Sequence, residues 1–264
     1  MEFIYVLGFV YGCVIGSFLN VVIDRLPNNE SIIKGRSYCD HCHKKLTWFE
    51  LIPIISFIIQ EGKCRVCHQQ LSVQYPIIEL LTGLITFGFI FLNQSDHVVT
   101  WLTINIAQLV LIYSLIVISI IDLKLMIIPD EIILFLLIVG VIQLITRFIV
   151  TGPSVILFQE MIIPSLLSAI VLALFFGFLI LITKGNGMGG GDFKLSIILG
   201  LFLGYSSFIA IYLAFMIGGL FALILLILRK TKFGKQIPFG PFLALGSVIV
   251  ICFQQQIVQF YLTF

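Results

Sequence analysis

Charge is what this sequence has least of. Asp, Glu, Lys and Arg make up 11% of its 264 residues, against about a quarter in soluble domains, which excludes an ordinary soluble globule. The net charge is only +2 and no basic patch is interleaved with aromatics, so nucleic acid is not an expected partner. Met1–Glu2 carries no basic n-region and no small-x-small site follows the first apolar run, so that run does not read as a cleaved signal. Residues 24–75 hold no dinucleotide-type glycine fingerprint and are too few for a nucleotide-binding βαβ domain with its own core.

What is present is hydrocarbon. Sixty per cent of the residues are hydrophobic and the mean hydropathy is +1.16. Runs long enough to cross a membrane core of about 30 Å occur at Phe3–Ile23, Trp101–Ile121, Glu131–Val150, Met161–Thr183, Ser207–Leu228 and Phe239–Tyr261. A shorter run, Ile77–Leu92, can begin its helix at Pro76, since proline suits a first helical turn. The 36 residues Phe193–Leu228 fit two short crossings, about 54 Å of helix against about 60 Å of bilayer. Two crossings also satisfy the positive-inside rule: fourteen of the fifteen basic residues then lie on one side, and Arg147 alone lies near an outer end. The expectation is an all-α polytopic membrane protein of about eight transmembrane helices, both termini outside, with a small cytoplasmic loop domain.

That loop domain, Asp24–Tyr75, carries four of the six cysteines as two pairs, Cys39 with Cys42 and Cys64 with Cys67. Two CxxC pairs read as a tetrahedral four-cysteine zinc site, and a cytoplasmic location disfavours disulfides. A redox dithiol pair, or unmetallated core cysteines, are the alternatives. His41, His43 and His68 lie beside the cysteines and could replace a ligand, although lone histidines there are more often solvated. Cys13 and Cys252 lie inside spans and read as small apolar packing residues.

Carboxylates beside hydrocarbon are expensive, so each suggests a function. Asp122 ends one span in IDLKLMIIPD, and Asp192 follows the glycine run of KGNGMGGGDFK. Both fall at the cytoplasmic boundary on different helices and can converge. Two close carboxylates that share one proton act as general base and general acid on a single water. Gly189, Gly190 and Gly191 can take positive φ and let an extended peptide lie beside Asp192, with Lys194 next to them; the alternative is that Asp192 caps a helix starting at Phe193 and the glycines are slack. Asp130 and Glu131 read as complements to a helix dipole. Glu79, in YPIIEL, reads the same way with a supporting role open, and Asn20 and Arg25 read as inner-face anchors.

GSFLNVVIDRLP, the double CxxC segment running through GKCRVC into YPIIEL, IDLKLMIIPD, GMGGGDFK and PFGPFLALG together resemble the bacterial type IV prepilin peptidases, in the family's order and over essentially the whole chain. The resemblance implies an aspartyl endopeptidase of the GxGD type with Asp122 and Asp192 as its catalytic pair. It implies prepilin or pseudopilin substrates, cut after a glycine where a short basic leader meets an apolar helix. Many members also methylate the new N-terminus with S-adenosylmethionine, and the residues linked to that activity match Gly62 and Lys63. Two positions depart from the family's pattern: Asp40, where proline is frequent, and Asp24, where His or Tyr is commoner. By domain, the implied layout is a first helix at 1–23, a zinc lobe associated with methylation at 24–75, and the peptidase at 76–264.

The rival classes are an ion-coupled transporter using paired carboxylates and a non-catalytic pilus assembly factor whose zinc lobe docks partners. A transporter would place its carboxylates and a broken helix near the membrane midplane.

Overall fold

The structure, a computed structural model, describes residues 2–39, 41–93, 98–151, 162–185, 188–229 and 237–253. It is helical; among the described residues β pairing is limited to two isolated bridges, Tyr38 with Lys45 and Lys63 with Gln70. The chain forms two compact units, Met1–Gln94 and Ser95–Phe264. The division follows the second span, whereas the boundary expected at residue 76 falls inside a helix.

In the first unit α1 (Glu2–Arg25) packs on α3 (Gln74–Leu92), and the short α2 (Ile55–Ile59) lies in the loop domain between them. Helix α3 starts two residues before Pro76. Lipid is as apolar as leucine, so two membrane helices gain little by burying hydrocarbon against each other and rely on close backbone approach. Gly8, Gly12 and Gly16 supply it at four-residue spacing. A Cβ on Gly12 would stand 2.6 Å from the Thr82 carbonyl oxygen, and one on Gly16 would stand 2.8 Å from the Glu79 Cα. The Thr82 and Thr86 hydroxyls at this seam donate back to the carbonyls of Ile78 and Thr82, so neither of these two buried hydroxyls is left without an acceptor.

The second unit contains α4 (Val98–Leu125), α5 (Asp130–Thr151), α6 (Ile163–Thr183), α7 (Gly190–Leu203), α8 (Ser206–Ile227) and α9 (Gly240–Cys252). Helix α4 is its core, with Leu111, Ile112, Leu115, Ile118 and Ile121 fully buried, and it packs on α5 and α9. Helix α7 lies against α5, α6 and α8, which explains why nearly every residue from Leu195 to Leu203 is buried. Its approach to α6 depends on Gly200, where a Cβ would come within 2.6 Å of the Ala169 nitrogen. The stretch Phe193–Leu228 is two helices, as the charge pattern suggests. The break is Gly204, at φ +55 and ψ −136, a positive-φ helix end that glycine adopts without steric penalty.

Among the described residues six segments are long and apolar enough to cross a membrane: Phe3–Asn28, Gln74–Leu92, Asn105–Leu125, Asp130–Ile149, Ile163–Thr183 and Ser206–Ile227. Helix α7 has 14 residues and α9 has 13; the rest of the expected last span, to Tyr261, lies outside the described residues, as do Lys230, Lys232 and Lys235. The chain is an all-helical, multi-pass membrane protein, and the apolar side chains left exposed on α5, among them Leu134, Phe135, Ile138 and Ile142, are its lipid-facing surface.

Candidate active site and metal centre

The loop domain is built on two matching knuckles. In the first, the Cys39 N–H donates to the Lys44 carbonyl and the His43 N–H to the Cys39 carbonyl; in the second, Cys64 donates to Gln69 and His68 to Cys64. The Leu46 and Leu71 N–H groups close the two turns on Ser37 and Gly62. His43 and His68 occupy left-handed conformations at φ 54 and 56, a region in which histidine is enriched among side-chain-bearing residues. Their place beside the cysteines has a backbone role, and among the described residues the candidate ligand set is the four cysteines.

Those four sulfurs lie within 4.8 Å of one another, with Cys39 3.9 Å from Cys67 and Cys42 3.9 Å from Cys64. All four are free thiols, far beyond the roughly 2.05 Å of a disulfide. A tetrahedral centre with metal–sulfur bonds of about 2.3 Å sets its sulfurs about 3.8 Å apart, so the donors fit a metal ion. Their electrostatics agree. Backbone N–H groups of Cys67 and Val66 pull the Cys64 thiol down to about 6. The Gln69 N–H favours the Cys67 thiolate, but burial and the neighbouring sulfurs drive that thiol up to about 11. Four thiolates cannot share this space without a cation among them.

Gly62 and Lys63 belong to the second knuckle. Gly62 has φ +68, and a Cβ there would meet the Phe57 ring at 3.1 Å; Lys63 forms the bridge to Gln70. These placements shape the turn that delivers Cys64. The other polar groups of this unit are held by backbone. Asn20 donates to the Gly16 and Tyr75 carbonyls. Arg25 does not reach out as an anchor; its guanidinium donates to the carbonyls of Ser31, Lys34 and Arg36 and orders that loop. Glu50 closes a capping box with Thr47 and pairs with Lys44 at 2.9 Å. Burial opposes its charge, but those donors outweigh burial and hold the carboxyl at about 2.

In the second unit three helix ends meet. Asp122 lies in the last turn of α4, which closes at Met126 in a left-handed conformation, φ 56. Asp192 is the third residue of α7, whose N-cap is Gly189. The helix therefore begins before the aspartate, not at Phe193 as the capping alternative supposed. Both carboxylates are buried, at 6% and 9% exposure, and Asp122 is near enough to act electrostatically on Asp192. Each is held by a backbone N–H at a helix start. Gly240, first residue of α9, donates to Asp122 Oδ2 at 2.9 Å, and Gly189 donates to Asp192.

The expected left-handed glycines are not at Gly189–Gly191. Gly189 has φ −74, the next two open α7, and among the described residues the positive values in this part of the chain belong to Lys184, Gly185 and Gly204. Their lack of side chains has three separate meanings. A Cβ on Gly191 would come 2.8 Å from the Ile128 Cβ in the α4–α5 turn, one on Gly189 would stand 3.3 Å from Asp192 Oδ2, and one on Gly190 would meet nothing within 4 Å. Lys194 Nζ pairs with Asp130 Oδ1 at 2.6 Å. The Ile128–Gly191 contact and this ion pair both fasten the start of α7 to the turn that follows Asp122. Gly240 has a role that the sequence reading did not assign: a Cβ on it would stand 2.7 Å from Asp122 Oδ2, so only glycine lets that N–H reach the carboxylate. The signal available was PFGP itself, a glycine bracketed by prolines at a helix start.

These features define a multi-pass helical membrane protein with a lobe of four clustered thiols and two buried aspartates at converging helix ends. The chain belongs to the type IV leader peptidase family: residues 109–227 match the model described as "Type IV leader peptidase family", and residues 10–93 match "Bacterial Peptidase A24 N-terminal domain". It is 33% identical to a prepilin leader peptidase/N-methyltransferase of Aeromonas hydrophila over 97% of this chain and 93% of that protein. It is 31% identical to one of Bacillus subtilis over 96% of each, and 30% identical to one of Pseudomonas aeruginosa over 96% of this chain and 91% of that one. No solved structure matches.

Proposed function

We propose that this protein is a membrane aspartic endopeptidase that removes the leader of type IV prepilins or pseudopilins and N-methylates the new N-terminus. Membership of the family and full-length similarity to prepilin leader peptidase/N-methyltransferases support it. The observation that carries the catalytic assignment is the meeting of Asp122 and Asp192, buried on different helices and each held by one backbone N–H. Such a pair can hold a water between two carboxyl groups. One takes its proton as it attacks the scissile carbonyl, and the other gives a proton to the departing amine. Gly240 orients the first carboxylate and Gly189 the second.

In this reading eight crossings place both aspartates at the cytoplasmic face of the cell membrane, where a basic leader ends and an apolar helix begins. Cleavage follows a glycine at that boundary, and the open side of Gly190 is the approach for substrate backbone. The four cysteines hold structural zinc, which would stabilise a lobe that has little core of its own. The methyl donor is S-adenosylmethionine, and Gly62 and Lys63 serve methylation through the shape of the second knuckle. The transporter alternative gains nothing from carboxylates in the terminal turns of α4 and α7, since it needs them near midspan.

Purified protein in detergent, incubated with a prepilin and followed by mass spectrometry of the product's N-terminus, tests both activities. A mature N-terminus without S-adenosylmethionine, and a product heavier by one methyl group with it, is the expected result. An unprocessed prepilin would remove the peptidase reading, and a cut but unmethylated product would remove the second activity.

A further inference from the structure

The loop domain contains an apolar run, LIPIISFII at 51–59, that its knuckles do not bury. Helix α2 presents Ile55, Ile58 and Ile59 on one face at 55%, 68% and 66% exposure, and Trp48, just upstream, is 77% exposed. Residues at i, i+3 and i+4 share a helix face, so this is an apolar surface beside a tryptophan.

Its height along the molecule is fixed by one hydrogen bond. The Ile54 N–H donates to Glu79 Oε2 at 2.7 Å, and Glu79 lies in the membrane span Gln74–Leu92, five residues past its start. At about 1.5 Å per residue that is roughly 7 Å along α3 from its first residue. Ile54 has φ 62 and ψ −51, and the Ile55 N–H reaches back to the Pro53 carbonyl. This is the rare γ-turn of positive φ, on a β-branched residue that ordinarily avoids it. Buried Glu79 holds the chain in that turn, and α2 begins immediately after it. On α3 itself Ile77, Leu80 and Leu81 are exposed at the same level, where the span meets lipid.

We propose that Trp48 and the Ile55, Ile58 and Ile59 face of α2 are seated in the headgroup layer of the membrane, so that the loop domain lies on the bilayer surface. Three observations select lipid as the occupant. Helix α2 begins one residue after the hydrogen bond that ties Ile54 to Glu79 of the α3 span. Tryptophan is the residue enriched at membrane interfaces. The segment Asp24–Tyr75 carries seven basic against five acidic residues, which complements an anionic leaflet.

The chain has two tryptophans, so full-length Trp101→Phe protein in lipid nanodiscs reports Trp48 alone. The nanodiscs contain phosphatidylglycerol with phosphatidylcholine brominated either high on the acyl chain or near its end. The expected result is loss of Trp48 fluorescence with the shallow label, less loss with the deep one, and weak quenching by aqueous acrylamide. Adding Ile55→Ser and Ile58→Ser should shift quenching from lipid to acrylamide while bound metal stays unchanged. Trp48 that is open to acrylamide and untouched by bromolipid overturns the proposal. So does a Trp48 that becomes shielded only when prepilin is added, which would assign this face to substrate.

Discussion

The two units treat buried carboxylates differently. In the first, Glu50 is surrounded by Thr47 and Lys44, and Glu79 accepts from both the Ile54 N–H and the Ser17 hydroxyl; both maintain architecture. In the second, Asp122 and Asp192 are as deeply buried, yet among the described residues each is held by a single backbone N–H and they face each other's charge. A carboxylate enclosed by donors is fixed in one state. One that is oriented but not saturated is left free to exchange a proton, and that difference separates structural acids from candidate catalytic ones.

The largest expected effect comes from removing one member of the pair. Asp122→Asn or Asp192→Asn should each lower prepilin cleavage at least about a hundredfold, the usual reach of general acid–base catalysis, while membrane insertion and metal content stay normal. Gel-based cleavage rates read this, and an active single variant removes that aspartate from the mechanism.

Next is Gly240→Ala, which places a methyl 2.7 Å from Asp122 Oδ2 without altering an ionisable group. A shift of that carboxylate should reduce kcat by roughly tenfold to a hundredfold with little change in KM. Parental kcat would show that the Gly240 contact does not set the position of Asp122.

Gly190 and Gly191 sharpen the comparison further. Gly191→Ala meets Ile128 and should destabilise the second unit by about 1–3 kcal/mol, as overpacking does, visible as a lower Tm. Gly190→Ala meets nothing in the protein and should leave Tm alone, while raising KM if substrate backbone approaches there. An unchanged KM would reduce this glycine to a spacer.

The smallest effect belongs to Glu50. Its folded carboxyl, at about 2, lies below the ordinary glutamate value, so its stabilisation is complete above that ordinary value and fades as the pH falls toward about 2. Glu50→Gln should therefore weaken amide protection of the loop domain near neutrality, by about 2 kcal/mol, typical of a charge-assisted bond. The gap between variant and parent should close in acid; a constant gap would mean that packing, not charge, is what the residue supplies.

Much of this was legible in the sequence for physical reasons. Apolar runs of span length, CxxC spacing and the cost of charge beside hydrocarbon marked six helices, the thiol cluster and both aspartates. The helix break after Leu203 was readable from charge, though not its location at Gly204. The Gly8, Gly12 and Gly16 spacing was a usable signal for α1–α3 packing. Other features were hidden because they join residues far apart in the chain: Ile54 with Glu79, Gly191 with Ile128, and Gly240 with Asp122 across 118 positions. Local pattern also misled at Gly189–Gly191, where a glycine run suggested unusual dihedrals and the structure instead uses a missing side chain for close contact at Gly191.

The most direct test sets the two units against each other on one substrate. Asp192→Asn protein and Cys39→Ser with Cys42→Ser protein are each given the same prepilin in detergent, with the product N-terminus read by mass spectrometry and zinc by elemental analysis. The account predicts that the first keeps its zinc and leaves prepilin uncut, while the second loses zinc and still releases the mature N-terminus. Cleavage by the Asp192→Asn protein, or a cysteine variant that stays folded yet cannot cut, would contradict it.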